Sequence, residues 1–205
     1  MFKYIIYIVL VAIVAGLVIG GFHLYRVSAR NKNEMSKFSG KKVDINKDLG
    51  KVLVVYYSLS GRTKDIAMRI KNKTNADVYE IKTLEPMPKG PKLHFAIKEQ
   101  LKSKQYPAIA TDFPAFEEYD TIFVGGPVWW YTAATPLLSF LTEADFNGKK
   151  VVPFSTQGSN VGTFFEDFNK TIKNANIQTS ERFNNLSKEY DIAVDNKISS
   201  WLNNL

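Results

Sequence analysis

The chain predicts an α/β fold, a doubly wound, five-stranded parallel sheet preceded by one N-terminal transmembrane helix. Three observations carry that expectation. Nothing between Lys3 and Arg26 bears a formal charge. Beyond residue 50, short continuous apolar runs alternate with stretches of helical spacing, as strands buried on both faces and their covering helices do. The 205 residues suffice for one domain and an appendage.

The uncharged stretch would span roughly 33 Å as a helix, enough to cross a hydrocarbon core. Tyr4, Tyr7 and Tyr25 stand near its ends, where interfacial aromatics sit. A cleaved leader is the rival, but its apolar core is normally about 7–15 residues, and Val27-Ser28-Ala29 is a mediocre cleavage site. Residues 1–27 are therefore expected as an uncleaved anchor in the cell membrane. Arg26, Arg30 and Lys32 follow it quickly and favour a cytoplasmic location for the rest, against a signal-anchor that exports it. Gly16 and Gly20 form a G-x-x-x-G pattern, which is common in membrane helices whether or not they pair. Residues 28–50 are polar, lysine-rich and without periodicity, and read as a linker.

The remainder, residues 51–205, reads as the folded domain. Residues 52–57 form the first buried strand, and residues 63–73 a helix with Ile66, Ala67 and Ile70 on one side. A short strand is expected at 77–82. Pro86, Pro88 and Pro91 then break the chain, and helical spacing returns over 93–104. Residues 121–125 are a second core strand. Thr135-Pro136 predicts a helix start with threonine as cap and proline in the first position. Residues 150–155 form a third core strand, 162–173 a helix with three inward phenylalanines, 177–183 a last, poorer strand, and 191–202 the closing helix.

Composition excludes several classes of function. With 45% hydrophobic and 23% charged residues the chain is not globally disordered. The absence of cysteine removes disulfides, thiolate metal sites and iron–sulfur clusters. His23 and His94 alone make no metal cluster, so no metal site is expected. The net charge of +7 is not a nucleic-acid signal: +6 of it falls within residues 1–42, beside the apolar segment, and residues 43–205 carry only +1.

Three loops lie at the carboxyl ends of predicted strands, where open α/β sheets bind ligands. The first, Ser58-Leu59-Ser60-Gly61-Arg62-Thr63, delivers hydroxyls and free backbone N–H groups to the positive end of a helix dipole. That suits a phosphate, and a glycine lets the backbone approach it. Arg62 either lends charge or is simply a solvated first-turn residue. The second loop, Gly125-Gly126-Pro127-Val128-Trp129-Trp130-Tyr131, sets two indoles side by side, flat surfaces suited to a planar ring. The alternative is that one packs beneath the loop while the other covers an edge. The third, Ser155-Thr156-Gln157-Gly158-Ser159-Asn160, is small and polar, and its N–H groups and the Gln157 amide can read the edge of a ring.

A phosphate, a flat ring and a polar ring edge together describe FMN. From Lys51 onward the chain resembles the flavodoxins, especially those with a Gly-x-Pro-x-Trp-Trp second loop. The family's Ser/Thr-x-Thr-Gly-x-Thr motif stands here as Ser58, Ser60, Gly61 and Thr63. The resemblance implies strand order 2-1-3-4-5 with FMN at the switch point, an order given for flavodoxin itself. It implies cofactor contacts from Ser58 to Thr63, from Pro127, Val128, Trp129 and Trp130, and from Thr156, Gln157 and Gly158. A P-loop and a Gly-x-Gly-x-x-Gly dinucleotide motif are both absent.

The resemblance further implies an electron carrier working with a redox partner protein or a small-molecule acceptor. Many flavodoxins carry a glycine near flavin N5, and residues 127–129 offer none. Two-electron chemistry, as in FMN-dependent NAD(P)H or quinone oxidoreductases, is therefore an alternative. A flavin-free interaction module on the same scaffold is another. Lys89, Lys92, Lys98, Lys102 and Lys104 form either a steering patch or an ordinary solvated face. The chain offers no convincing acid–base pair, so no catalytic residue is expected.

Overall fold

The computed structural model describes residues 2–110 and 112–205. The first helix, α1 (Phe2–Ser36), is the one described helix long and apolar enough to cross a membrane, with a mean hydropathy of 2.8 over its best window. The sheet is built from β1 (Val52–Tyr56), β2 (Asp77–Glu80), β3 (Thr121–Trp129), β4 (Thr132–Ala133), β5 (Lys150–Gln157), β6 (Asn176–Ile177) and β7 (Glu181–Asn184). Its parallel frame runs β2-β1-β3-β5, followed by a last position shared by β6 and β7. Both pieces pair with β5, so the fifth strand is one path interrupted at residues 178–180. The order is the expected 2-1-3-4-5.

Among the described residues five further α-helices cover the sheet: α2 (Arg62–Thr74), α3 (Pro91–Ser103), α4 (Thr135–Glu143), α5 (Phe164–Thr171) and α6 (Asp191–Asn203). Every residue of β1 is buried, and its side chains divide by period two. Leu53 and Val55 join the core beneath α3, α4 and α5, while Val52, Val54 and Tyr56 join the core beneath α2 and α6. Arg69 ties the second layer together, bonding Asp191 at 2.6 Å and Asp195 at 2.9 Å.

Three local expectations are corrected. Ala134, not Thr135, caps α4, with Thr135 and Pro136 already helical. The Thr135 hydroxyl instead donates to Gln100 Oε1 at 2.7 Å, tying α4 to α3. The helix expected over 162–173 is confined to Phe164–Thr171, because Gly162 and Thr163 are engaged in a turn contact described below.

The third correction concerns residues 28–50, which read as a polar linker. They are helical to Ser36, and beyond that they run over the α6 face of the domain. Met35 is buried, and Phe38, Ile45 and Leu49 pack on the second core. Polar side chains supply the rest of the attachment. Asn196 Nδ2 donates to the Phe38 carbonyl at 2.8 Å, and its Oδ1 accepts the Val43 N–H at 3.0 Å. Lys197, only 4% exposed, reaches Glu34 at 2.6 Å and Glu181 at 3.2 Å. Single apolar residues spaced through a polar stretch carry no period, so nothing in the pattern announced the packing.

Candidate functional site

All three loops lie at the carboxyl edge of the sheet. The first leaves β1, whose last hydrogen bonds run from Tyr57 N–H to the Gly125 carbonyl and from Ile81 N–H to the Tyr56 carbonyl. Gly61 precedes α2 at φ +86°, a left-handed conformation that glycine adopts without a Cβ penalty. No side chain caps this helix start, and its first backbone bond is Asp65 N–H to the Gly61 carbonyl at 2.9 Å. The N–H groups of the first turn therefore face outward without helical acceptors, at the positive end of the dipole. A Cβ built on Gly61 would meet nothing within 4 Å, so the loop opens there onto free space.

Ser58 adds an independent sign. Its hydroxyl oxygen is the one buried side-chain polar atom among the described residues without a hydrogen-bond partner. Leaving such a group unpaired costs about 1–3 kcal/mol, which a bound acceptor would recover. Thr63 is buried and its hydroxyl lies 2.7 Å from that of Thr156, so the first and third loops share a bond. Arg62 is exposed and donates to the Leu186 carbonyl at 3.2 Å. Ser60 and Leu59 are exposed at the loop tip.

The second loop is not a loop throughout. Gly125 and Gly126 belong to β3, and their missing side chains make room for neighbours. A Cβ on Gly125 would stand 2.5 Å from the Phe154 ring, and one on Gly126 would stand 2.9 Å from Leu137. The strand continues through Pro127 and Val128 to Trp129, then folds back into β4 as a hairpin with Val128 opposite Ala133 and Trp129 opposite Thr132. Its two turn residues are Trp130 at φ +47° and Tyr131 at φ +65°. Two-residue hairpin turns of type I′ need φ > 0 at both positions and are usually filled by Asn-Gly, Asp-Gly or Gly-Gly. Two aromatic residues there store strain, and such strain persists only where the surroundings enforce it.

The enforcing contacts come from the start of α5. Thr163 N–H donates to the Tyr131 carbonyl at 2.7 Å. Asp167 Oδ2 accepts from the Thr163 hydroxyl at 2.5 Å and from the Thr132 hydroxyl at 2.6 Å. Gly162, at φ +56°, lies so close that a Cβ there would fall 2.0 Å from the Tyr131 carbonyl oxygen.

The two indoles have separate roles. Trp129 is half-buried with its ring edge-on to Tyr57 at 5.6 Å, whereas Trp130 is 50% exposed with its ring edge-on to His94 at 6.2 Å. Burial pushes the Tyr57 phenol up to about 12.

Val128, Trp129, Trp130, Gln157 and Gly158 line one open pocket of about 450 Å³, in the size range of small-molecule sites. The pocket also takes Leu93, His94 and Ile97 from α3, Tyr131 from the hairpin, and Ser159 and Asn160 from the third loop. The α3 residues were not among the expected contacts, although their helical spacing was visible. Ser58 to Thr63 and the expected contact Thr156 lie outside this lining; Thr63 bonds Thr156, which directly precedes Gln157, and Tyr57, which directly precedes Ser58, meets Trp129. The Gln157 amide is committed at both ends, accepting from the Ser155 hydroxyl at 3.0 Å and donating to Asn184 Oδ1 at 3.1 Å. One of its two N–H groups remains for a ligand. Pro127 is half-buried, and its carbonyl accepts the Ala134 N–H at 3.1 Å.

An anion cradle and an aromatic pocket thus adjoin. Residues 51–205 match the family model described as Flavodoxin. A flavoprotein from Lactobacillus acidophilus, solved in complex with FMN, is 28% identical with a TM-score of 0.60, over 65% of this chain and 93% of its own. A protein from Bacteroides eggerthii, provisionally designated a flavoprotein, is 26% identical with a TM-score of 0.64, over 75% of this chain and 96% of its own. No curated protein matches the sequence.

Proposed function

Since the chain belongs to the flavodoxin family, we propose that it binds FMN and serves as a membrane-anchored electron-transfer protein. The observation that carries this reading is the unpartnered, buried Ser58 hydroxyl beside an uncapped helix start, one loop away from an aromatic pocket. The backbone N–H groups of Gly61, Arg62 and Thr63, with the Ser58 and Ser60 hydroxyls, would hold the phosphate. Trp129 and Trp130 would wall the ring, and Gln157 and Gly158 would border it. Bound FMN supplies a ring able to carry one or two electrons. The protein's share is to hold that ring against apolar walls, which exclude water and disfavour charge on it. The anchor reading draws support from α1, which is helical without a break through Val27-Ser28-Ala29. The cytoplasmic side remains the favoured one on the lysine and arginine bias alone.

One observation favours a second reading, an FMN-dependent oxidoreductase taking electrons from NAD(P)H and giving them to a quinone-type acceptor. Val128 and Trp129 are fixed in the hairpin ladder and the turn beyond them is pinned. No peptide of residues 127–129 is then free to rearrange its hydrogen bonding with each electron, as a mobile glycine could.

The purified full chain is expected to be yellow, or to quench FMN fluorescence stoichiometrically when FMN is added. A colourless protein that leaves added FMN unquenched would remove both readings and leave an interaction module. Anaerobic oxidation of NAD(P)H by the loaded protein would select the second over the first. Gly61→Ala is expected to relieve its left-handed strain of roughly 1–2 kcal/mol by moving the free loop out of the φ +86° conformation, and FMN binding, which must restore that conformation, then weakens about ten-fold per 1.4 kcal/mol. A fluorescence titration reads that change directly.

A further inference from the structure

Building on the reading of α1 as a membrane span, we propose that the loop-bearing edge of the domain lies against the bilayer surface, with the Trp130–Tyr131 turn in the headgroup layer. The direction of the chain between span and sheet carries this inference. At the carboxyl edge of the sheet, Arg30 donates to the Ser159 carbonyl, and Asn31 Oδ1 accepts from Asn184 Nδ2 at 2.8 Å. At the opposite edge, the Leu49 carbonyl accepts from the Thr121 hydroxyl at 2.8 Å, at the very start of β3. Residues 30 to 49 therefore descend from the edge with the loops to the edge without them. The apolar part of α1 continues the other way, out beyond the loops. The bilayer lies on their side.

Distance agrees with direction. Tyr25, at the end of the uncharged stretch, stands only five helical steps before Arg30 at the third loop, which is about 7.5 Å at 1.5 Å per step. A headgroup layer is about 5–7 Å deep per leaflet, taking half the difference between the full bilayer and its hydrocarbon core. The surface presented at that depth suits an interface. Trp130 is 50% exposed, Tyr131 63%, Phe95 75% and Leu59 43%. Amphipathic rings concentrate at headgroup depth. The strained turn gains a purpose: it holds two large rings outward where a helix or a relaxed loop would fold them in.

The pocket shares Ser159 and Asn160 with the small cleft that contains Arg30 and Glu34, so its rim abuts the emerging span. Electron partners must then reach the site along the membrane surface or from within it, the path open to a lipid-soluble carrier.

Having no cysteine, the chain accepts a single nitroxide at any chosen position. The test uses full-length Tyr131→Cys, Leu59→Cys and, on the opposite edge, Lys173→Cys, each labelled and reconstituted into phosphatidylcholine vesicles containing phosphatidylglycerol. Collision with lipid-dissolved oxygen relative to aqueous nickel chelate is expected to be several-fold higher at 131 and 59 than at 173. Labels equally open to nickel at all three positions overturn the docking while leaving FMN binding and the anchor standing. Failure of the chain to float with the vesicles overturns anchor and docking together. Two positions on the docked edge guard against one variant that misfolds, and loss of FMN binding is read separately from the flavin spectrum.

Discussion

Gly162→Ala is expected to disorder the aromatic turn and to lower both stability and cofactor affinity. The new Cβ would fall 2.0 Å from the Tyr131 carbonyl oxygen and 2.6 Å from the Tyr131 Cβ. That carbonyl cannot simply withdraw, because Thr163 N–H holds it at 2.7 Å. The substituted residue would also keep φ +56°, which an L-side chain resists. Left-handed strain of roughly 1–2 kcal/mol and overpacking of about 1–3 kcal/mol give a loss of about 2–5 kcal/mol. The turn carries Trp130 and follows directly on Trp129, so the pocket loses its wall with its support, and FMN affinity should fall at least about ten-fold for the first 1.4 kcal/mol of misplacement. Thermal unfolding and flavin titration of the same sample check both effects. Unchanged affinity would mean that the hairpin does not border the flavin.

Lys197→Ala is the second large effect. The ammonium group is almost fully enclosed, 4% exposed, between Glu34 of α1, Glu181 of β7 and the Arg182 carbonyl. Its removal leaves the Glu34 and Glu181 carboxylates without their shared cation, beside the Phe183 ring that the ammonium also covers. Breaking a buried ion pair costs about 3–5 kcal/mol, and these carboxylates keep enough water contact, at 20% and 26% exposure, to place the loss near the lower figure. For a chain of this size about 3 kcal/mol corresponds to a melting temperature lower by roughly 6–12 °C. The exposed Lys98→Ala should change stability by less than about 0.5 kcal/mol and serves as the control. Equal melting of the two variants would show that the helix–domain junction contributes little.

Residues that bury both faces of a strand were plain in the sequence. The runs around Val54, Phe123 and Val152 carry no charge, and the intervening helices show their stripes, so a parallel sheet with three loops at one edge followed, while the strand order came only with the family resemblance. The Gly61 turn was legible for the same reason: a glycine between a core strand and an amphipathic helix has few other roles. The hairpin at Trp130 and Tyr131 was not, because φ > 0 at two aromatic residues contradicts every local preference and is imposed by Gly162 and Thr163, some thirty residues on. Residues 28–50 were misread because asparagine side chains and lone apolar residues fasten them, contacts that leave no periodic trace. Lys197 resembles any surface lysine until the partner from α1 is in place.

The bridge between the Thr63 and Thr156 hydroxyls joins turns that come from strands ninety-odd positions apart in the chain. On the reading proposed above, it would tie the phosphate-holding turn to the ring-bordering one before any guest arrives. Folding, rather than association, would then absorb the entropy of bringing them into line, and a coenzyme of matching length would find the two turns already aligned.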